Sequence, residues 1–429
     1  MSRVAAETPS PAYPLRVSPN RRHLVDGRGV PFLLHGEAAW SLIVALSREE
    51  AERYLADRAA KGVNTIVVNL IEHKFKGPAN SYGDLPFGAG GALAQPNEAY
   101  FAHADWVIRR AGACGIQVLL APLYLGLAET DEGWIEEVQA AGVAGCREWG
   151  RMVGRRYASF DNILWLVGGD RDPRPVLDHI DAFVEGLKEF DQRHLCTADG
   201  APERPPAEDF GRGGWLDLHN TYTYGIVPRH LLADYHRSPA RPFFLKGSAY
   251  EGEHNASAVQ IRRQAYWALL CGACGQIFGN RPIWLFDPGW QEALESQGLR
   301  DMVHLRALFT SRPWFHLLPD DAHEVVTGGL GEFRGLDFLA AARTSDGGTV
   351  IAYMPTARTI TVDLTKICGT RVAAWWFDPR TGTAQGAGEF PTGSSREFAP
   401  PGEGDWVLVL DDATRGYGPP GTPNGGSDR

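Results

Sequence analysis

The sequence predicts a (β/α)₈ barrel followed by an antiparallel β-sandwich, and three observations support this fold class. Eight apolar runs of strand length, each followed by a helical pattern, recur over about 280 residues, which is the number and length that such a barrel needs. After Pro313 the helical periodicity stops, and short alternating runs with Gly- and Pro-containing turns follow. The alternative, a doubly wound sheet, is disfavoured because no glycine-rich phosphate turn follows the first run.

The barrel strands are predicted from continuous apolar runs, because a parallel strand is buried on both faces. These runs are residues 31–36, 64–71, 117–124, 162–168, 195–199, 216–222, 242–245 and 275–279. The helices are predicted from the 3.6-residue period at residues 48–61, 98–114, 140–157, 176–190, 229–235, 257–271 and 298–310. Ser47 is expected to cap the first helix, whose first turn carries Glu49 and Glu50.

The second domain is predicted from strands at residues 349–353, 359–364, 371–377 and 405–410, separated by turn residues. The expected organisation is a disordered tail at 1–14, the barrel at 15–315, the β-sandwich at 316–412 and a Gly/Pro-rich disordered tail at 413–429.

Composition excludes several partners. The formal net charge of −10 argues against nucleic acid and anionic membranes. No apolar run reaches the length of a membrane span, and the N-terminus lacks the pattern of a signal peptide, so a cytoplasmic protein is expected. The six cysteines agree with a reducing compartment, and the pair Cys271 and Cys274 is interpreted as buried small residues in an apolar helix.

The segment 162–170 indicates where the chemistry lies. An apolar strand ends there in Gly168 and Gly169, and Asp170 follows. Active sites of such barrels are built at the carboxyl ends of the strands, so Asp170 is a candidate catalytic carboxylate. The structural alternative is a helix cap, a role that Asp172 is equally placed to fill.

The other strand ends supply carboxylates, amides and aromatic rings. The residues predicted to bind substrate are Glu37, Trp40, Asn69, His73, Tyr124, His219, Asn220, Tyr222, Tyr250, Asn280 and Trp284. This combination suits glycoside hydrolysis, which needs two carboxyl groups, with amides and rings to hold the sugar. No serine elbow, phosphate loop or clustered metal-ligand motif is found, so no metal or cofactor is expected. Each residue also has a structural reading: Glu37 as a helix cap, the histidines as wall residues, and Trp40 and Trp284 as packing.

Several segments together resemble one family. They are 25–27 (VDG), 36–40 (GEAAW), 96–101 (PNEAYF), 165–170 (WLVGGD), 250–254 (YEGEH), 262–268 (RRQAYWA), 279–284 (GNRPIW) and 375–382 (WWFDPRTG). Across almost the whole chain the sequence resembles the apiosidase-like glycoside hydrolases, glycoside hydrolase family 140 and its relatives. The resemblance implies a barrel with a β-sandwich, retaining hydrolysis by two carboxyl groups, and a small glycoside that ends in apiose or another pentose or furanose.

The resemblance also assigns roles and reveals two departures. Asp170 falls on the family's acid/base position. Glu37 stands where the family motif usually has Asp. Gly247 stands where the relatives have the nucleophilic Glu, four residues before Glu251. We expect Asp170 to point into the barrel mouth and Gly247 to face it across the pocket.

Three explanations for Gly247 are open. The chain is an engineered variant that lost its nucleophile, or a natural member that uses Glu251 or another group, or a member in which Glu251 is the ordinary nucleophile. The rival functions are a non-catalytic carbohydrate-binding protein on a degenerate barrel, and a lyase or transglycosidase that uses Glu251.

Overall fold

A computed structural model describes residues 10–88 and 93–423 of the chain. Its centre is a parallel barrel of eight strands. In chain order they are Leu34–Ala38, Thr65–Asn69, Gln117–Ala121, Ile163–Gly168, Cys196–Asp199, His219–Tyr222, Phe243–Gly247 and Gly275–Phe278. Ladders join the first strand to the second and to the eighth, and the remaining neighbours follow in sequence. Between the fifth and sixth strands, the Asp217 amide donates to the Cys196 carbonyl at 2.9 Å.

Helices cover the outside of this barrel. They are α1 Leu42–Ala45, α2 Arg48–Ala60, α3 Glu98–Ala113, α4 Ile135–Tyr157, α5 Leu177–Lys188, α6 Pro206–Phe210, α7 Val227–Tyr235, α8 Ala258–Leu270, α9 Trp290–Ala293 and α10 Gln297–Thr310. Ser47 caps α2 as predicted, and Glu50 completes a capping box. Helix α4 begins earlier than predicted and is kinked at Gly142.

Each barrel strand alternates between the barrel interior and the helices. In the fourth strand, Leu164 and Leu166 face the interior, whereas Ile163, Trp165 and Val167 pack against the helical layer. Both faces are therefore buried, which explains the continuous apolar run. The strand ends at Gly168, so that Asp170 emerges at the carboxyl end of the barrel.

The first predicted strand is divided between two sheets. Pro31–Phe32 pairs with Leu24–Val25, which pairs with Arg16–Val17 in a small antiparallel sheet. Leu15, Leu24 and Phe32 belong to the same apolar cluster as Leu34 and Leu218 of the barrel interior. The small sheet thus fills the amino end of the barrel, opposite the end where the strands stop.

The C-terminal domain is antiparallel throughout its described residues. A six-stranded sheet has the order Leu317–Pro319, Ala340–Thr344, Thr349–Met354, Trp406–Asp412, Arg371–Asp378 and Thr383–Pro391. A three-stranded sheet has the order Val326–Gly328, Ile360–Asp363 and Ser395–Phe398. An apolar core of its own lies in this domain, with Val326, Val350, Ile360 and Leu408 among its members. Barrel and β domain together confirm the predicted fold class.

A buried ion cluster joins the two domains. Arg262 of α8 donates to Asp301 of α10 at 2.5 Å, and to both carboxylate oxygens of Asp405 at 2.6 and 2.8 Å. The hydroxyl of Tyr353, in the β domain, donates to Asp405 at 2.9 Å.

The parts of the predicted tails that the structure describes contact the rest of the protein. Tyr13 donates to the Gly115 carbonyl at 2.8 Å, and Tyr417 lies under the guanidinium of Arg312. No helix in the described ranges is long and apolar enough to cross a membrane.

Candidate active site

A cavity of about 500 Å³ opens at the carboxyl ends of the barrel strands. Seven residues singled out from the sequence line it: Trp40, Tyr124, Asp170, Tyr222, Gly247, Tyr250 and Trp284. Nine other residues also line it: Phe75, Leu127, Glu132, Tyr224, Lys246, Gly252, Glu253, His254 and Arg281. The cavity therefore combines aromatic rings with carboxylates and basic groups.

Asp170 reaches the cavity with both carboxylate oxygens engaged. Its Oδ1 accepts a hydrogen bond from Lys246 Nζ at 2.9 Å, and its Oδ2 accepts one from the Tyr222 hydroxyl at 3.0 Å. The side chain is 19% exposed, so one edge stays open to the cavity. An ammonium and a phenol hydroxyl both stabilise a carboxylate in its ionised form.

Lys246 is the basic residue that contacts Asp170. Its amino group donates to Asp170 and, at 2.6 Å, to the fully buried Asp199 at the end of the fifth strand. Burial alone would lower the pKa of Lys246, but the charges of Asp170 and Asp199 outweigh it and hold that pKa above its ordinary value. Burial raises the pKa of Asp199 to about 7 against the opposing effect of Lys246, and the charge of Asp170 adds to the rise.

Gly247 follows Lys246, at a bulge in the seventh strand. A Cβ atom at position 247 would lie 2.9 Å from Cδ2 of Tyr222 and 3.1 Å from its Cε2. The Tyr222 ring also contacts Lys246, whose Nζ lies 4.0 Å from the centre of the ring. The ring of Tyr222 therefore packs directly on the bare backbone of Gly247.

Aromatic side chains form one wall of the cavity. The Tyr124 ring lies 5.6 Å from Trp40 and 5.7 Å from Phe75, and Phe75 lies 5.1 Å from Trp284. The indole of Trp40 donates to the Tyr250 hydroxyl at 3.4 Å. Such faces suit the C–H face of a sugar ring while leaving its hydroxyls to the polar groups.

Two further carboxylates line the cavity. Glu253 accepts a hydrogen bond from the Trp284 indole at 2.6 Å and lies 3.6 Å from Arg281. Glu132 is half-buried in the loop after the third strand, and its carboxyl group lies near the Tyr124 hydroxyl. Burial raises the pKa of Glu132 to about 7, the Tyr124 hydroxyl opposes this, and the charge of Asp170 adds to it.

The remaining predicted site residues lie outside the cavity lining. Glu37 is fully buried behind the first strand, where it accepts hydrogen bonds from Arg58 at 2.5 and 3.0 Å and from Tyr54 at 2.6 Å. His219 faces the helices, and burial, aided by the charges of two neighbouring arginines, lowers its pKa to about 4. His73 stacks on Trp134. None of these three side chains lines the cavity: Glu37 and His219 are buried, and His73 lies 2.7 Å from Glu137.

Glu251 also has a structural place. Its Oε1 accepts from the Gly298 amide at the start of α10, and its Oε2 accepts from the Asn280 amide, both at 2.8 Å. Asn220 donates to the Ala198 carbonyl at 2.5 Å inside the barrel. Asn69 is buried, and its amide has no hydrogen-bond partner among the described residues. Asn69, Asn220 and Asn280, which were predicted to bind substrate, are buried and do not line the cavity.

Lys246 and Glu132 were missed from the sequence for different reasons. A lysine inside an otherwise apolar strand, Phe243 to Gly247, is a signal in itself, since a buried charge needs partners. Glu132 lies in a loop rich in acidic residues, and nothing in its spacing marks it. Within the described ranges, no group of three or more His, Cys, Asp or Glu side chains is arranged to hold a metal ion.

Comparison with known proteins identifies the family of this site. Residues 18–316 match the family model described as "Apiosidase-like, catalytic domain". The chain belongs to the apiosidase-like family. Residues 323–411 of the apiosidase-like chain match the model described as "Putative collagen-binding domain of a collagenase". No curated protein matches the chain.

Two solved structures share the whole architecture. One, described as "Glycoside hydrolase", is 26% identical with a TM-score of 0.84, covering 95% of this chain and 98% of that one. The other is a glycoside hydrolase family 5 protein from Bacteroides vulgatus, also 26% identical with a TM-score of 0.84, covering 94% of each chain. The apiosidase-like chain thus has a glycoside hydrolase fold, and its family supports a glycosidase activity on a carbohydrate.

Proposed function

We propose that this protein is a retaining glycoside hydrolase that removes a terminal sugar from a small glycoside, with Asp170 as one of its two catalytic carboxyl groups. The observation that carries the proposal is the Asp170 carboxylate itself. It lies in an aromatic-walled cavity at the mouth of the barrel, fixed by Lys246 and Tyr222 and open on one edge. This is the place and the chemical setting that barrel glycosidases use.

The size of the cavity supports a small substrate. A volume of about 500 Å³ is within the usual range for small-molecule pockets and suits one or two sugar rings. We therefore propose attack at the non-reducing end, with apiose or another pentose or furanose as the sugar that the family resemblance implies. The proposed setting is the cytoplasm, in agreement with six cysteines that are all free.

Position 247 separates the explanations for the missing nucleophile. The Tyr222 ring occupies the space that a side chain at 247 would need, and it is held there by Asp170 and Lys246. This packing supports a natural member whose site is built around glycine, rather than one recent substitution. Glu251 is poorly placed to replace the missing group, since both its oxygens are bound to Asn280 and Gly298.

The test of the function is a screen of aryl pentosides and aryl hexosides with the unaltered chain and with Asp170→Asn. We expect hydrolysis by the unaltered chain and none above background by the variant. Gly247→Glu is added to the screen: an increased rate would show that 247 is a lost nucleophile position, whereas a folded but inactive Gly247→Glu supports a site adapted to glycine. No hydrolysis of any glycoside by the unaltered chain would contradict the proposed function.

A non-catalytic carbohydrate-binding protein is the second candidate. It is favoured by one observation, the salt bridge from Lys246 to Asp170, which occupies an oxygen that an acid/base residue uses. In that case calorimetry would detect sugar binding by the unaltered chain and by Asp170→Asn, and neither would release a product.

A further inference from the structure

We infer that Asp199 is a positioning residue for the acid/base chemistry at the barrel mouth: it supplies the counter-charge of Lys246 while Asp170 holds the proton that a glycosidase donates to its leaving group. The inference rests on the proposed function and on the acid/base role that the family resemblance gives to Asp170. It also explains how that role is compatible with the salt bridge between Lys246 and Asp170.

The ammonium group of Lys246 has two hydrogen-bond acceptors among the described residues. Its Nζ donates to Oδ1 of Asp170 at 2.9 Å and to Oδ1 of Asp199 at 2.6 Å. Aromatic faces are its other close neighbours, with the ring centres of Tyr222 and Trp40 at 4.0 and 5.6 Å. The side chain is 3% exposed, and a buried ammonium without an anionic partner is costly. At least one of the two carboxyl groups therefore has to stay ionised.

Two carboxylates are, however, more than one ammonium can neutralise. Asp199 is fully buried, and Lys246 is the only donor to its side chain in the described ranges, because its Oδ2 has no hydrogen-bond partner there. With Asp170 and Asp199 both ionised, one negative charge would stay uncompensated in a site shielded from water. The three side chains therefore balance best with one proton shared between the two carboxyl groups. In agreement, burial raises the pKa of Asp199 to about 7, which Lys246 opposes and the charge of Asp170 increases.

The shared proton has two placements, and Lys246 keeps a counter-charge in both. When Asp199 carries the proton, Asp170 is the ionised partner of Lys246. When Asp170 carries it, Asp199 becomes the ionised partner, and the open edge of Asp170 can donate the proton into the cavity. Without the carboxyl group of Asp199, the second placement would leave Lys246 buried beside two neutral groups. Asp199 thus makes the acid form of Asp170 accessible.

The proton balance of a turnover then closes. In the first step, the other catalytic carboxyl group of the proposed mechanism bonds to the anomeric carbon, the bond from that carbon to the leaving oxygen breaks, and Asp170 gives its proton to that oxygen. Asp170 and Asp199 are then both ionised, and the excess negative charge favours the return of a proton to Asp170. That proton comes from the water that replaces the bound carboxyl group in the second step. Asp199 neither gains nor loses a proton, so it acts through its charge.

The neighbouring elements present other titratable groups, and those described here supply no free charge. Tyr124, Tyr222 and His219 are neutral near pH 7, because burial raises the pKa of both tyrosines and lowers that of the histidine to about 4. On α6, which packs on the fifth strand, Asp209 is paired with Arg204 at 2.6 Å. The two partners of the Lys246 ammonium are thus the carboxylates that matter for its charge.

The experiment measures the pH dependence of kcat/KM with phenyl and 2,4-dinitrophenyl pentosides for the unaltered chain, Asp199→Asn and Lys246→Met. Phenolate needs a proton to leave, whereas dinitrophenolate does not. In Asp199→Asn the alkaline limb on the phenyl substrate should move to lower pH by about one unit or more, which lowers kcat/KM at pH 8 by about tenfold or more, and the dinitrophenyl substrate should lose less than about threefold. In Lys246→Met the same limb should move to higher pH, because the ammonium that favours ionised Asp170 is gone.

Asp234→Asn is the matched control. Asp234 is also a buried aspartate whose pKa is raised by burial, but it lies on α7, accepts a hydrogen bond from Thr221 at 2.7 Å and does not line the cavity. Its variant should keep the pH profile of the unaltered chain. A merely structural role of Asp199 would lower activity alike at every pH and on both substrates. Limbs that stay in place in Asp199→Asn and Lys246→Met, or that move in the same direction, would therefore overturn the inference.

Infrared difference spectra test the shared proton without any turnover. At pH 7 the unaltered chain should show a protonated carboxyl group that is absent from Asp199→Asn and also from Asp170→Asn, because a single carboxyl group left beside Lys246 is ionised. A band lost in only one variant, or in neither, would overturn the inference and leave the proposed function standing. If the band behaves as expected but the unaltered chain hydrolyses no glycoside, the proposed function fails and the shared proton stands.

Discussion

Two buried clusters in this molecule have nearly the same composition. In each, one basic side chain lies between two aspartates, and a tyrosine hydroxyl donates to one of them. At the barrel mouth the basic residue is Lys246, between Asp170 and Asp199. At the junction of the domains it is Arg262, between Asp301 and Asp405.

The clusters differ in access and in saturation. At the junction, Asp301 and Asp405 are at most 3% exposed, and the fork of Arg262 satisfies both. At the mouth, Asp170 is 19% exposed, and one oxygen of Asp199 has no hydrogen-bond partner in the described part of the chain. Where the carboxylates are buried and fully hydrogen-bonded, as at the junction, the cluster contributes to packing. Where one carboxylate edge is open to the cavity, as at the mouth, the cluster can take part in chemistry.

The sharpest test of this contrast removes one carboxylate charge from each cluster. Asp170→Asn should lower kcat by about 10³-fold or more, because one of the two proposed catalytic carboxyl groups is lost. Its melting temperature should change little. Asp301→Asn should do the reverse, with a lower melting temperature and nearly unchanged activity in the folded fraction. Steady-state kinetics and thermal unfolding measure both, and matching profiles for the two variants would abolish the distinction.

Removing the cations should affect stability unequally. Arg262→Met should cost about 3–5 kcal/mol of unfolding free energy, because it leaves two buried carboxylates uncompensated. Lys246→Met should cost less, since Asp170 reaches solvent and Asp199 can bind a proton. Guanidinium chloride titrations at pH 7 measure the two values. A larger loss for Lys246→Met would mean that the cluster at the mouth is the main structural one.

The pH dependence of stability sharpens the role of Asp199. Its pKa is raised in the folded state to about 7, so the native protein binds a proton more tightly than the unfolded chain does. Unfolding free energy should therefore fall as pH rises from about 4 to 7, and Asp199→Asn should make that fall smaller. Chemical denaturation of both proteins across this range is the measurement. Parallel curves would show that Asp199 does not titrate there.

The smallest effects are expected from glycine substitutions beside the clusters. Gly247→Ala places a Cβ atom 2.9 Å from the Tyr222 ring, and Gly298→Ala places one 2.7 Å from the Glu251 carboxylate. Each should cost about 1–3 kcal/mol of unfolding free energy, as overpacking does. Only Gly247→Ala should also lower kcat/KM, because Tyr222 must move away from Asp170. Loss of activity in Gly298→Ala alone would show that the Glu251 region is the catalytic one.

The strands of the barrel and the place of Asp170 could be predicted from the sequence, because buried parallel strands produce continuous apolar runs that end at the mouth. The sequence could not predict whether a polar residue on a strand faces the barrel interior or the helices. Glu37 and His219 lie on strands buried on both faces, so no alternation reveals which side each one takes. Glu251 stands beside the cavity residue Tyr250, yet it turns to bind the start of α10.

The division of the β domain was predicted only in part. Strands such as Thr349–Met354 and Trp406–Asp412 are apolar on both faces and were recognised. Thr383–Pro391 is mostly polar or glycine and is held by hairpin pairing with the preceding strand Arg371–Asp378, so its own composition does not mark it as a strand. Lys246 could not be assigned from its local sequence either, because its partners Asp170 and Asp199 lie far from it in the chain.

The small N-terminal sheet has a consequence for turnover. Leu15, Leu24 and Phe32 fill the amino end of the described barrel, so its cavity opens only at the carboxyl ends of the strands. A freed sugar must leave by the route through which the next glycoside enters, so product and substrate compete for the same entrance to the active site. Accumulating monosaccharide should then slow the reaction, and a long chain cannot be threaded through the barrel and cut processively.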